Sequence, residues 1–116
     1  MGANQVVSQS SGTASVNLDG RLILYVGGRH QHVAGLRELV EECNGTFAHH
    51  DGGVEQSMEK LGGLLKRADA VMFPVRCVSH KAQFKVKSAC RKSGKPFRPL
   101  RSMGAEAVIQ ALQAMV

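Results

Sequence analysis

Leu22-Ile23-Leu24-Tyr25-Val26-Gly27-Gly28 is the stretch that decides the fold. Five apolar, partly β-branched residues closed by two glycines read as a central β-strand that ends in a tight turn. Beyond it, Val33, Leu36, Leu39, Val40 and Cys43 recur at helical spacing, and Asn44-Gly45 supplies a left-handed stop. Thr46-Phe47-Ala48-His49-His50 then reads as a second short strand, stopped by Asp51-Gly52-Gly53. A second helix is expected from Val54 through Met58, Leu61, Leu65 and Ala68. Gly62-Gly63 lies inside it, where each glycine costs roughly 1 kcal/mol against alanine and predicts a kink or a close backbone contact.

Ala70-Val71-Met72-Phe73-Pro74-Val75 is apolar without alternation, as in a parallel strand covered on both faces, with Pro74 marking its exit. Ser79 is a good N-cap for a third helix. That helix carries Ala82, Val86, Ala89 and Cys90 on one side and Lys81, Lys85 and Lys92 on the other, and it ends at Gly94 and Pro96. A fourth strand around Phe97-Arg98-Pro99-Leu100 leads through Ser102-Met103-Gly104 into a last helix with Val108, Ala111, Leu112 and Met115 inward. The order βαβαβαβα implies a small doubly wound α/β domain, Rossmann-like or flavodoxin-like, with a parallel four-stranded sheet and right-handed crossovers. Residues 1–19 are polar and without period, so they are expected to form a disordered leader before a single domain over 20–116.

Composition sets the wider bounds. At 116 residues, 43% hydrophobic and 21% charged, the chain is one globular domain's worth. It has neither a membrane-length apolar run nor a signal pattern, and the expected location is the cytoplasm. Cys43, Cys77 and Cys90 form no CxxC pair, so free thiols are expected rather than a disulfide framework or a zinc knuckle. The net charge of +6 is concentrated late in the chain, since no acidic residue lies between Asp69 and Glu106. That half attracts anions, with a solvated lysine face as the plain alternative.

The strand-end loops predicted by this layout contain all five histidines: His30 and His32, His49 and His50, and His80. In open α/β sheets the crevice outside the strands' carboxyl ends binds ligands. Neighbours on a strand point to opposite faces, so one histidine per loop is the expectation. Three imidazoles suit a transition metal with an open position, and one or two suit haem. Met72, Phe73, Phe84, Phe97 and Met103, with Arg29, Arg76 and Arg98 for the propionates, could offer a haem slot, although plain core packing is the favoured account of the apolar residues. Asp51 and Glu55 are candidates to orient the His50 ring from behind.

Two further chemistries compete for the same edge. Gly27, Gly28 and Arg29 before the first helix, Gly52 and Gly53, and Arg76 with Ser79 before the third, could cradle a phosphate ester or nucleotide. Neither a GxGxxG nor a P-loop fingerprint is present. Cys77, near Arg76, His80 and a helix start, is a weak candidate nucleophile, as is a metal-bound water. Nucleic-acid binding by the basic third helix is a weaker option, because one tyrosine and no tryptophan leave little to stack on bases.

Tyr25-Val26-Gly27-Gly28-Arg29, His50-Asp51-Gly52-Gly53-Val54-Glu55, Ala68-Asp69-Ala70-Val71, Pro74 with Cys77-Val78-Ser79-His80, and Lys87 with Cys90 through Gly94-Lys95-Pro96 together resemble the bacterial domain-of-unknown-function family 2325. The resemblance spans about residues 21–112 and implies a small, cytoplasmic, Rossmann-like bacterial protein of unassigned activity. It places His50, Gly52, Gly53, Glu55, Ser79 and His80 inside family motifs, with His30, His32 and His49 outside them. The expectation is therefore a non-enzymatic sensing or cofactor-binding module, homodimeric, holding haem or a transition metal through His50 and His80, joined by His30, His32 or His49. A small anionic ligand is the alternative.

Overall fold

The computed structural model describes residues 16–116. Among them, strands and helices alternate as β1 (Leu22–Val26), α1 (His30–Glu42), β2 (Thr46–His50), α2 (Met58–Arg67), β3 (Ala70–Pro74), α3 (His80–Ser93), β4 (Phe97–Leu100) and α4 (Ala105–Ala114). The sheet order is β2-β1-β3-β4 and every pairing is parallel. β1 and β3 lie at the centre, and their near-continuous apolar runs are what two covered faces require: every residue of β3 is buried. Pro99 sits in the edge strand β4, where a missing N–H costs the ladder little.

Each face of the sheet carries two helices. Leu36 and Val40 of α1 and Val108 and Leu112 of α4 pack with Ile23, Tyr25 and Met72 on one side. Leu61 and Leu65 of α2 and Val86 and Cys90 of α3 pack with Leu24, Val26, Val71 and Phe73 on the other. The alternation of Ile23 and Tyr25 against Leu24 and Val26 is the period-2 rule in a strand buried on both sides. The α/β reading of the sequence holds element for element.

Three details differ from the sequence reading. The folded body begins earlier than residue 20: Val16 and Leu18 are buried in the α1/α4 cluster, and the Leu18 N–H donates to the Cys43 carbonyl at 2.7 Å. The remainder of the expected leader, residues 1–15, lies outside the described residues. Second, α2 starts at Met58 under a Ser57 cap, and Val54, expected on the helix, is 83% exposed. The cause is Asp51, whose side chain holds residues 53–56 in a loop of its own. Third, α2 runs through Gly62-Gly63 as one helix. A Cβ on Gly62 would meet the Lys85 stem of α3 at 3.5 Å, while one on Gly63 would meet open space.

Candidate functional site

β1 leads to α1 on one side of the sheet, and β3 leads to α3 on the other. With β2 to one side of β1 and β4 beyond β3, the chain leaves these two neighbours in opposite directions. Their carboxyl ends thus form the topological switch point, the usual ligand position in such sheets. Here the three strand-end loops are tied to one another. Gly27 N–H donates to the His50 carbonyl and Gly28 N–H to the Cys77 carbonyl, each at 2.7 Å. Ser79 Oγ donates to the Gly52 carbonyl at 3.1 Å and accepts from Ala82 N–H, capping α3.

Both glycines are demanded by this closeness. Gly27 and Gly28 have φ of +86° and +85°, and a Cβ on Gly28 would stand 2.5 Å from the Tyr25 hydroxyl. Tyr25 is fully buried and stacks on His49 at 5.8 Å between ring centroids; its hydroxyl donates to Met103 Sδ at 3.6 Å. Burial, with Cys77 nearby adding to it, pushes the phenol up to about 12.

The histidines are distributed by strand and helix geometry. His49 and His50 diverge as adjacent strand residues must. The His49 ring donates from Nε2 to the Gly27 carbonyl at 2.9 Å, on the Tyr25 side. His50 is completely buried: Nε2 donates to the Ser57 carbonyl at 2.8 Å, and Nδ1 accepts from Gly52 N–H at 3.0 Å. That pair of partners fixes the neutral Nε2–H tautomer and occupies both ring nitrogens. A metal or haem on His50 would have to break one of these bonds, so His50 serves as a strut between β2 and α2.

His32 lines a shallow pocket with Leu39 and Met103 between α1 and α4, across the sheet from α3. His80 is exposed at the first position of α3. The His30 side chain lies outside the described part of the structure. Among the described residues, no three His, Cys, Asp or Glu side chains gather where they could hold a metal ion. Of the histidines whose side chains are described, His32 and His49 lie on the α1/α4 side of the sheet and His50 and His80 on the α2/α3 side, so the sheet divides the expected set.

Asp51 also has a different task from the one its position beside His50 suggested. Its carboxylate accepts the N–H groups of Gly53, Val54, Glu55 and Gln56 at 2.9–3.3 Å, and its Oδ1 stays 4.0 Å from His50 Nδ1. Partial burial alone would raise the carboxyl, but the four backbone donors outweigh it and hold it below the ordinary range. The Gly52-Gly53 loop therefore already contains its anion, supplied by the chain. Glu55 contributes its N–H to that loop, and its side chain is exposed.

What remains open at the switch point is a cleft of about 460 Å³ bounded by Gly28, the Asp51–Val54 loop, the Cys77–Ser79 loop, Met58 and Lys81. By helix geometry the first N–H groups of α3, those of His80 and Lys81, lack intrahelical acceptors. Cys77 is half-buried in the wall, and Arg29 and Arg76 are exposed. Val54, Met58, Val78 and Lys81 carry no binding signal in the sequence: the first two read as helix positions, Lys81 reads as part of the basic helix face, and a valine between Cys77 and Ser79 has no distinctive chemistry.

Among the described residues, no helix is long and apolar enough to cross a membrane. Neither the curated proteins nor the solved structures yielded a match to this chain. A family profile does match residues 22–115, from the first strand to the end of the last helix, and the chain thereby belongs to DUF2325, described as an uncharacterized protein conserved in bacteria.

Proposed function

We propose that the protein is a binding module that takes a small phosphate-bearing molecule in the switch-point cleft. The observation that carries this reading is the meeting of that 460 Å³ cleft with the start of α3, where backbone donors and the Lys81 ammonium stand together. A helix start favours anions through its free N–H groups and its dipole, and Lys81 adds a mobile unit charge. The one carboxylate in the wall, Asp51, is already compensated by four N–H groups. Gly27 and Gly28 serve the site through shape: both N–H groups are spent on neighbouring loops, and their missing side chains let those loops close.

The second reading, haem or a transition metal at this edge, rests on His80, which is exposed between the lining residues Ser79 and Lys81. Thermal unfolding of the full chain with inorganic phosphate, a mononucleotide panel and haemin separates the two. A ligand that binds only the folded state raises the midpoint. We expect one or more phosphate compounds to do so, and Lys81→Glu to remove the rise. A flat response to every phosphate compound overturns the proposal. If haemin then gives a Soret band that His80→Ala abolishes, the second reading replaces it.

A further inference from the structure

Beyond the cleft, α2 and α3 leave an open groove of about 560 Å³ between them. Its floor is apolar, from Met58 and Leu65 of α2 and Phe84 and Ala89 of α3. Its rim is cationic, with Lys66 on one helix and Lys81, Lys85 and Lys92 on the other. Phe84 is 75% exposed between the rim lysines. Positions 81, 84, 85, 88 and 92 repeat at intervals of three and four, so they form one stripe along α3, turned away from the buried stripe of Ala82, Val86 and Cys90.

The charge on this stripe is not balanced locally. No Asp or Glu occurs between Asp69 and Glu106, and Glu59, the acidic residue of α2, is outside the lining. Lys95 is spent elsewhere, donating to the Leu65 and Lys66 carbonyls at the end of α2. Among the described residues, the four rim lysines have no side-chain hydrogen bond or ion pair of this kind.

We propose that this groove docks an acidic amphipathic α-helix of a partner protein. An apolar floor takes a helix's i, i+3, i+4, i+7 anchors, and a cationic rim selects carboxylates on its flanks. The lining follows α3 from Lys81 to Ser93, about 18 Å at 1.5 Å per residue, which matches three turns of a bound helix. A second copy of this chain fits poorly, since at net charge +6 it would set the same lysines against themselves. Nucleic acid would use the lysines through its phosphates but leave the Met58 and Leu65 floor without a role.

The test uses the full chain and a labelled helical peptide of about 18 residues with leucines at the anchor positions and glutamates on the flanks. Its control replaces the glutamates by lysines. Met58 and Lys81 also border the cleft, so the diagnostic variants are Phe84→Glu and the pair Lys85→Glu, Lys92→Glu, which touch the groove alone. The expected result is saturable binding of the acidic peptide, at least about tenfold tighter than its lysine control and weakened at least about tenfold by either variant. Amide shifts of the protein should concentrate on α2 and α3, with far-UV dichroism unchanged in the variants. Equal binding of the two peptides, or binding indifferent to Phe84→Glu, overturns the proposal. So does a DNA or RNA oligonucleotide of equal charge that binds more tightly than the peptide.

Discussion

Asp51 shows how one side chain can organise a whole loop. It sits at the end of β2 before two glycines with φ of +82° and +103°, and it gathers four consecutive N–H groups that no helix or strand would satisfy. Asp51→Asn keeps the shape but removes the charge and replaces one accepting oxygen by an amide nitrogen that cannot accept, for an expected cost of at least about 1.5 kcal/mol in urea unfolding near neutral pH. The sign with pH follows from the lowered folded value. The carboxylate's contribution is complete above the ordinary value of 3.8 and is lost as pH falls through the lower folded value, so wild-type and variant stabilities should converge in acid. Stability difference independent of pH would show that the carboxylate charge is not what holds the loop. Part of this was legible, since Asp-Gly-Gly after a strand marks a turn. The length of the loop, and hence the shift of the α2 start from Val54 to Met58, was not, because spacing does not reveal which N–H groups a carboxylate will capture.

At the scale of the element, α2 carries a correctable weakness. Gly62 faces the Lys85 stem, whereas Gly63 is an exposed interior helix position whose Cβ would meet nothing within 4 Å. Gly63→Ala should therefore stabilise the protein by about 0.5–1 kcal/mol, read as a raised denaturation midpoint with an unchanged slope. A destabilised Gly63→Ala would mean that α2 needs the glycine for a contact not visible in the folded chain alone. The inward faces of the helices could be written down from apolar spacing: Leu61 and Leu65, Val86 and Cys90, and Val108 and Leu112 are all buried. The left-handed stops at Asn44 (φ +63°) and Gly94 (φ +67°) also stand where their residue types put them. These features are local, and local sequence carries them.

For the whole molecule, the boundary of the folded body is the sharpest test. Leu18 is completely buried against the α1/α4 face, and a Cβ on Gly45 would collide with it at 2.5 Å. Leu18→Ala should cost about 2–4 kcal/mol in chemical denaturation, a core penalty at a position whose surroundings in sequence read as a polar leader. A neutral Leu18→Ala would return residues 16–19 to the leader. The sequence by itself determined the order of strands and helices, the parallel α/β architecture, the family and the edge at which the strand-end loops collect, because strand and helix periods and turn residues act over a few positions. Only the tertiary structure decided which side chains share that edge and which are already engaged there. The sheet puts His32 and His49 on one side and His50 and His80 on the other, while hydrogen bonds from Ser57 and Gly52 consume the ring of His50. Which face a side chain reaches, and which partner claims its last lone pair, depends on elements far apart in the chain, and no local pattern encodes it.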